Sequence, residues 1–212
     1  MLIKDLQKVS SEVLNLWPMP LYKSIIDVKQ EWKDYISKID YERNSADNAD
    51  MSKEYYVLEH LIDLKKEILD CVEDFTKNHL KISKRFDFYI LNSWSNKHNY
   101  NDWSHSHYHG NSLISGVYYL NTPKKSGDIE FIKNHLYNNM FSESFIFNYS
   151  EDNFTNTECV RIIPKEGLLL LFPSHLQHKV TKNKTNESRY SIAFNIFVNG
   201  EFGNGEIMDL KL

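Results

Sequence analysis

The sequence predicts an α+β chain that is mainly β: an antiparallel sandwich or barrel, with helices packed outside it on the N-terminal side. Three observations carry that expectation. Aromatic residues make up 14% of the chain, with 13 Tyr and 12 Phe, and such side chains favour the half-buried surface of a sheet. The hydrophobic period changes from helical to alternating near residue 86, as expected where helices give way to strands. Beyond that point short apolar runs follow one another between Gly, Pro and Asn. No helical pattern separates them, which argues against βαβ units and for antiparallel strands.

The elements follow in order. Trp17-Pro18-Met19-Pro20 closes the first segment, because two prolines two apart do not fit a helix interior. Residues 21–26 (LYKSII) then read as a short strand. In residues 31–39 (EWKDYISKI), Trp32, Tyr35, Ile36 and Ile39 stand at helical spacing. Residues 44–52 (NSADNADMS) read as a polar loop. Over residues 53–80 a stripe of Leu58, Leu61, Ile62, Leu64, Ile68, Leu69, Val72 and Phe75, with charges opposite, predicts one long amphipathic helix.

Phe86, Phe88 and Ile90 alternate as in a strand. Residues 112–120 (SLISGVYYL) form the next, ended by Asn121-Thr122-Pro123. Residues 128–132 (DIEFI) follow a Ser126-Gly127 turn. Residues 133–157 are polar and irregular, a long loop of the kind that covers a site. Residues 167–172 (GLLLLF) are wholly apolar, as in a strand buried on both faces, and residues 190–198 (YSIAFNIFV) give the last strand. The expected organisation is a single domain over 1–212, with 1–85 as helical support and 86–200 as the β core.

Composition narrows the function. A net charge of −4 and a pI near 6.1 give no strong nucleic-acid signal and no broad attraction to an anionic membrane. Cys71 and Cys159 stand far apart and outside any CxxC pair, which fits a reducing compartment. The N-terminus lacks the unbroken apolar stretch of a signal peptide, and no apolar run approaches the ~18 residues of a membrane span. The expectation is a soluble, cytoplasmic protein.

Chemistry concentrates in residues 103–112, WSHSHYHGNS. If this stretch is extended, His105, His107 and His109 point to one face with successive imidazoles roughly 7 Å apart. The outer two are then roughly 13 Å apart and cannot share one ion. The metal pair is either His105/His107 or His107/His109. A further ligand must come from elsewhere, with His178 the better candidate and His175, three residues earlier on the same turn, the weaker. Two His and one further ligand suit Zn, Cu, Ni or Fe. Arg189 opens the strand RYSIAF, with Ser191 two residues on, and Tyr119 lies on a neighbouring strand. A guanidinium, a phenol and a hydroxyl on one face can grip a carboxylate, since Arg pairs with carboxylates bidentately.

The order H-x-(D or H), Y-Y-L-N, G-L-L-L-F-P, a second His and R-x-S resembles the iron(II)/2-oxoglutarate dioxygenases. More narrowly, it resembles the iron/2-oxoglutarate oxygenases common in phage and marine bacterial genomes, a prolyl-hydroxylase-like group. The matching pieces are LWPMPLY (16–22), NSWSN (92–96), HYHGNSLISGVYYLNTP (107–123), SGDIEF (126–131), GLLLLFPSHLQHKV (167–180) and RYSIAFN (189–195). The resemblance implies a double-stranded β-helix, or jelly-roll, core. It implies His107 and His178 as ligands of Fe(II), and Arg189 as partner of the distal carboxylate of 2-oxoglutarate, supported by Tyr119 and Ser191. His105 and Trp94 would stand just outside the ligands.

The chain departs from the family pattern at His109, which occupies the position of the acidic ligand. A three-His site follows if His109 ligates, and a two-His site completed by water if it does not. A carboxylate such as Asp102, Asp128 or Glu130 entering from outside the motif is the third arrangement. The implied reaction is hydroxylation of a small-molecule or peptidyl substrate by O2, coupled to conversion of 2-oxoglutarate to succinate and CO2. Two other readings use the same residues: a cupin-like zinc or other metal enzyme, and a non-catalytic jelly-roll binding module. Against the former, no Glu follows three or four residues after His109.

Overall fold

Alternation along four neighbouring strands builds the centre of the molecule. A computed structural model describes residues 13, 18–45, 47–133, 147–203 and 210–211. The strands of the two main sheets are β1 (Tyr22–Ile25), β2 (Tyr41–Asn44), β3 (Ala49–Ser52), β4 (Asp87–His98), β5 (Ser104–His107), β6 (Ile114–Asn121), β7 (Ile129–Ile132), β8 (Cys159–Ile162), β9 (Leu168–Pro173), β10 (His178–Val180) and β11 (Arg189–Asn199). A seven-stranded sheet runs β1-β9-β6-β11-β4-β3-β2, and a four-stranded sheet runs β5-β10-β7-β8. Pairing between these strands is antiparallel.

The larger sheet is covered on both faces. On one side Tyr118, Leu120, Leu169, Leu171, Ile192, Phe194 and Ile196 pack against Trp32 and Ile36 of α1 (Gln30–Lys38) and Leu64, Ile68 and Val72 of α2 (Ile62–Glu73). On the other side Val117, Tyr119, Leu168, Leu170 and Phe172 meet Ile129 and Phe131 of β7. Residues two apart share a layer, and adjacent residues serve opposite layers. This is why β9 reads as an unbroken apolar run: each of its faces is buried. The architecture is a mainly β jelly roll with flanking helices, as the sequence predicts.

Several boundaries differ from expectation. The stripe over 53–80 does not make one helix. Val57–His60 is a 3₁₀ turn, α2 spans Ile62–Glu73, and a π-helical turn, Asp74–His79, follows. The start is held back by the sheet: the Leu58 amide donates to Ser93 Oγ at 2.9 Å, and the Ser93 amide donates to the Tyr55 carbonyl at 2.9 Å. Those backbone groups are used by β4 and cannot enter a helix. Residues 44–52 are not wholly loop either, since β2 and β3 form a hairpin there that extends the sheet beyond β4. The N-terminal part thus contributes three strands, β1 to β3, as well as helices. The motif residues 16 and 17 and the loop residues 134–146 lie outside the described residues. No helix among the described residues is long and apolar enough to cross a membrane.

Candidate metal and carboxylate site

The inner face of the larger sheet presents a polar ladder toward the smaller one. Register places Asn92, Asn195 and Ser115 in one row, Trp94, Ala193 and Val117 in the next, then Asn96, Ser191 and Tyr119, and last His98 beside Arg189. Paired residues on adjacent strands project to the same face, so these side chains line one interior.

Three imidazoles meet above the first rows. A ring nitrogen from each of His107, His109 and His178 lies within 4.8 Å of the others. Ring centroids are 5.4 Å apart for His107 and His109, 4.4 Å for His107 and His178, and 5.2 Å for His109 and His178. His107 ends β5 and pairs directly with His178 on β10. The strand stops there, and the His109 amide donates instead to the Ser174 carbonyl at 2.9 Å. Successive rings are closer than the roughly 7 Å expected of a strand both within β5, where His105 and His107 are 5.5 Å apart, and across its end. His105 remains outside, with its side chain 47% exposed and its Nδ1 at 3.1 Å from Asp47 Oδ1, though not aligned as a hydrogen bond. Asp47, His105 and His107 form a second group with ligand atoms within 4.8 Å. His175 is exposed on the turn.

The hydrogen bonds fix which nitrogens are available. His107 Nδ1–H donates to the His105 carbonyl at 2.8 Å, and His178 Nδ1–H donates to the Leu176 carbonyl at 2.9 Å. His109 Nδ1–H donates to Asn195 Oδ1 at 2.6 Å, with Ser115 Oγ at 3.1 Å. Because carbonyl oxygens only accept, each ring carries its proton on Nδ1 and keeps an Nε2 lone pair. Burial holds His178 neutral, driving its pKa to about 3, with the His107 charge acting in the same sense. Burial lowers His109 as well, against a raising contribution from Asn195. Three imidazoles with oriented tautomers, two of them disfavoured as cations by burial, make a donor set that suits a transition metal or zinc.

The acids weighed as entrants are occupied elsewhere or stand apart. Asp102 binds Arg43 through both oxygens at 2.8 and 2.9 Å, and Glu130 binds Arg161 and Lys179. Asp128 belongs to neither imidazole group.

Arg189 closes the other end of the ladder. It is 1% exposed. Nη1 donates to the Gly127 carbonyl at 3.1 Å, Nη2 donates to His98 Nδ1 at 3.0 Å, and Nε has no acceptor. No carboxylate pairs with it among the described residues. Its Cζ lies 5.8 Å from the centre of the Tyr119 ring, and Ser191 faces Tyr119 across the strand pair. Burial raises the Tyr119 phenol to about 12, so its hydroxyl is a neutral donor.

Residues 92–195 match the family model described as "Putative 2OG-Fe(II) oxygenase". Over that span the chain is similar to the 2OG-Fe(II) oxygenases. None of the curated proteins matches it. Solved structures share its fold at low identity. A 2OG-Fe(II) oxygenase family oxidoreductase from Burkholderia pseudomallei is 10% identical with a TM-score of 0.55, covering 78% of this chain and 75% of that one. HygX from Streptomyces hygroscopicus, solved with nickel and 2-oxoglutarate, is 10% identical with a TM-score of 0.55, covering 84% and 82%. A Pseudomonas putida prolyl-4-hydroxylase is 10% identical with a TM-score of 0.50, covering 84% and 92%. The family uses Fe(II), 2-oxoglutarate and O2.

The sequence does not single out His98, Asn195 or Asp47. Alternation held the signal for two of them: His98 continues Asn92-Trp94-Asn96, and Asn195 continues Arg189-Ser191-Ala193. Asp47 lies in the β2–β3 connection, and no pattern links it to the histidines. Trp94, expected beside the site, has its ring 5.6 Å from that of His109. A cavity of about 330 Å³ opens there, bordered by Asp47, Tyr55, Asn92, Trp94, His107 and His109.

Proposed function

We propose that the oxygenase holds Fe(II) on His107, His109 and His178, anchors 2-oxoglutarate on Arg189, and hydroxylates a small-molecule or peptidyl substrate. The observation that carries this reading is the pairing of two incomplete sites on one inner face. One is a set of three imidazoles with free Nε2 lone pairs. The other is a buried guanidinium with an orphan Nε–H and, among the described residues, no carboxylate in contact with it, the Asp128 charge acting only through space. A buried cation with an unpaired donor and no counter-ion in contact is costly, and a carboxylate would supply the missing acceptor. The residues present therefore fit both the metal and the dicarboxylic cosubstrate.

Bound together, iron and 2-oxoglutarate supply oxidative decarboxylation to succinate and CO2, with one oxygen atom of O2 passing to the substrate. The chain orients and excludes water. Asn195, the His105 carbonyl and the Leu176 carbonyl aim the three rings. Arg189 sets the far end of the cosubstrate, with Tyr119 and Ser191 as neutral donors beside it. With three neutral ligands the centre carries one more positive charge than a 2-His-1-carboxylate centre, which favours a dianionic cosubstrate. Trp94, Asn92, Tyr55 and Asp47 border the space left for substrate.

The test is succinate release from 2-oxoglutarate by protein loaded anaerobically with Fe(II) and then exposed to air. Stoichiometric succinate that disappears in the His178→Ala variant supports the reading. Metal-loaded, folded protein that neither binds 2-oxoglutarate nor releases succinate would return it to the zinc-enzyme or binding-module class.

A further inference from the structure

His98 is the most buried histidine among the described residues, and the proposed chemistry does not use it. It is 2% exposed at the end of β4 and touches two elements at once. Its Nδ1 accepts from Arg189 Nη2 at 3.0 Å, and its Nε2 lies 3.1 Å from Ser104 Oγ. Arginine only donates, so Nδ1 carries the lone pair and Nε2–H donates to the serine. Ser104 opens β5, the strand that ends in His107. The chain Arg189–His98–Ser104 thus ties the larger sheet to the smaller one.

The chemistry of the acceptor matters more than its position. A buried arginine is most simply satisfied by Asp or Glu, but that anion would compete with any incoming carboxylate. Neutral imidazole satisfies one guanidinium donor and leaves the guanidinium with no carboxylate in contact among the described residues, Asp128 acting on it only through space. We propose that His98 is a positioning residue for cosubstrate binding: a neutral acceptor that fixes Arg189 while keeping it receptive to a carboxylate. The inference rests on the assignment of Arg189 to 2-oxoglutarate. Burial, then Arg189 on β11 and Arg43 on β2, disfavour protonation of this ring, so it keeps its acceptor role at neutral pH.

The variants His98→Glu and His98→Gln separate this role from simple filling of space, because the two introduced side chains share size and differ in charge. The measurement is calorimetric titration of 2-oxoglutarate into Zn(II)-loaded protein, with Zn(II) affinity and Tm measured separately. His98→Gln should bind 2-oxoglutarate within roughly threefold of the parent, and His98→Glu roughly thirtyfold or more weakly. Zn(II) affinity should be alike in both. Equal 2-oxoglutarate affinities in the two variants would overturn the inference. A second measurement needs no substitution: the ¹H–¹⁵N spectrum of the imidazoles in the Zn(II)-loaded parent should show His98 as the Nε2–H tautomer. An Nδ1–H tautomer or a cation there would also overturn it. Arg189→Ala is the control for the underlying assignment. If that variant keeps its 2-oxoglutarate affinity, the cosubstrate reading of Arg189 itself fails. If it loses affinity while the His98→Glu and His98→Gln variants match each other, only the role of His98 falls.

Discussion

His109 occupies the place of an acid, and its surroundings suit an imidazole. A carboxylate at 109 would face Asn195 Oδ1, which accepts at 2.6 Å from the ring, while Asn195 Nδ2 is engaged with Asn92 Oδ1 at 3.0 Å. Two acceptors would then oppose each other. Asn195→Ala removes the group that orients His109, and loss of such a partner costs about tenfold to a hundredfold in metal affinity. Ser115 Oγ, at 3.1 Å, remains as a substitute acceptor, so the loss should lie near the lower end and deepen in the Asn195→Ala/Ser115→Ala double variant. Competition with a chelating metal indicator measures this, and unchanged affinity in the double variant would count against His109 as a ligand. His105 offers a contrast. It serves His107 through its backbone carbonyl, and its side chain is largely exposed. His105→Ala should keep most succinate release, whereas His107→Ala should abolish it.

At the scale of elements, what was legible depended on how a signal was carried. The strands of the core follow from strict alternation or unbroken apolarity, and β6, β7, β9 and β11 appear within two residues of their expected bounds. The β2–β3 hairpin was not legible because its partners are polar and pair at a sheet edge. The helix over 53–80 was overextended because periodicity cannot report that Ser93 takes the Leu58 amide. The three ligand candidates were legible from motif order, but the orienting Asn195 was not, since its role appears only once β11 faces β6. The β6–β7 turn shows how an element serves the site. Gly127 has φ +96°, and a Cβ there would sit 2.3 Å from the Thr181 carbonyl oxygen. Its own carbonyl accepts from Arg189. Gly127→Ala should cost about 1–3 kcal/mol in stability and also weaken 2-oxoglutarate binding as that carbonyl shifts. Thermal melts and titrations measure the two effects, and a variant with both unchanged would detach the turn from Arg189.

At the scale of the molecule, the interior stores unpaired chemistry that ligands complete. Buried His178 contributes to the pH response of the metal-free protein. His178 has its folded pKa lowered from 6.5 to about 3, so above pH 6.5 it is neutral in folded and unfolded chains alike. As pH falls below 6.5 the unfolded chain takes up a proton that the folded chain refuses, and stability declines until the folded group titrates near 3. His178→Phe should show a shallower loss of denaturation free energy between pH 7 and 5; an equal slope would mean that this ring does not set it.

Ligands should act in the opposite direction and in two separable steps. A metal that binds the folded imidazole cluster and not the unfolded chain would add about 2.7 kcal/mol at a hundred times its Kd. For a chain of this size that is a rise on the order of 5–10 °C in Tm. Zn(II) alone should give the first increment. On the proposed role of Arg189, 2-oxoglutarate should give a second by placing a carboxylate in contact with the buried guanidinium. Arg189→Ala removes the cation and its tie to His98 but leaves the three imidazoles untouched. That variant should keep the Zn(II) increment and lose most of the 2-oxoglutarate increment in a melt at fixed protein concentration. A full second increment without Arg189 would mean that the cosubstrate is held by the metal alone, and the buried arginine would then need another partner.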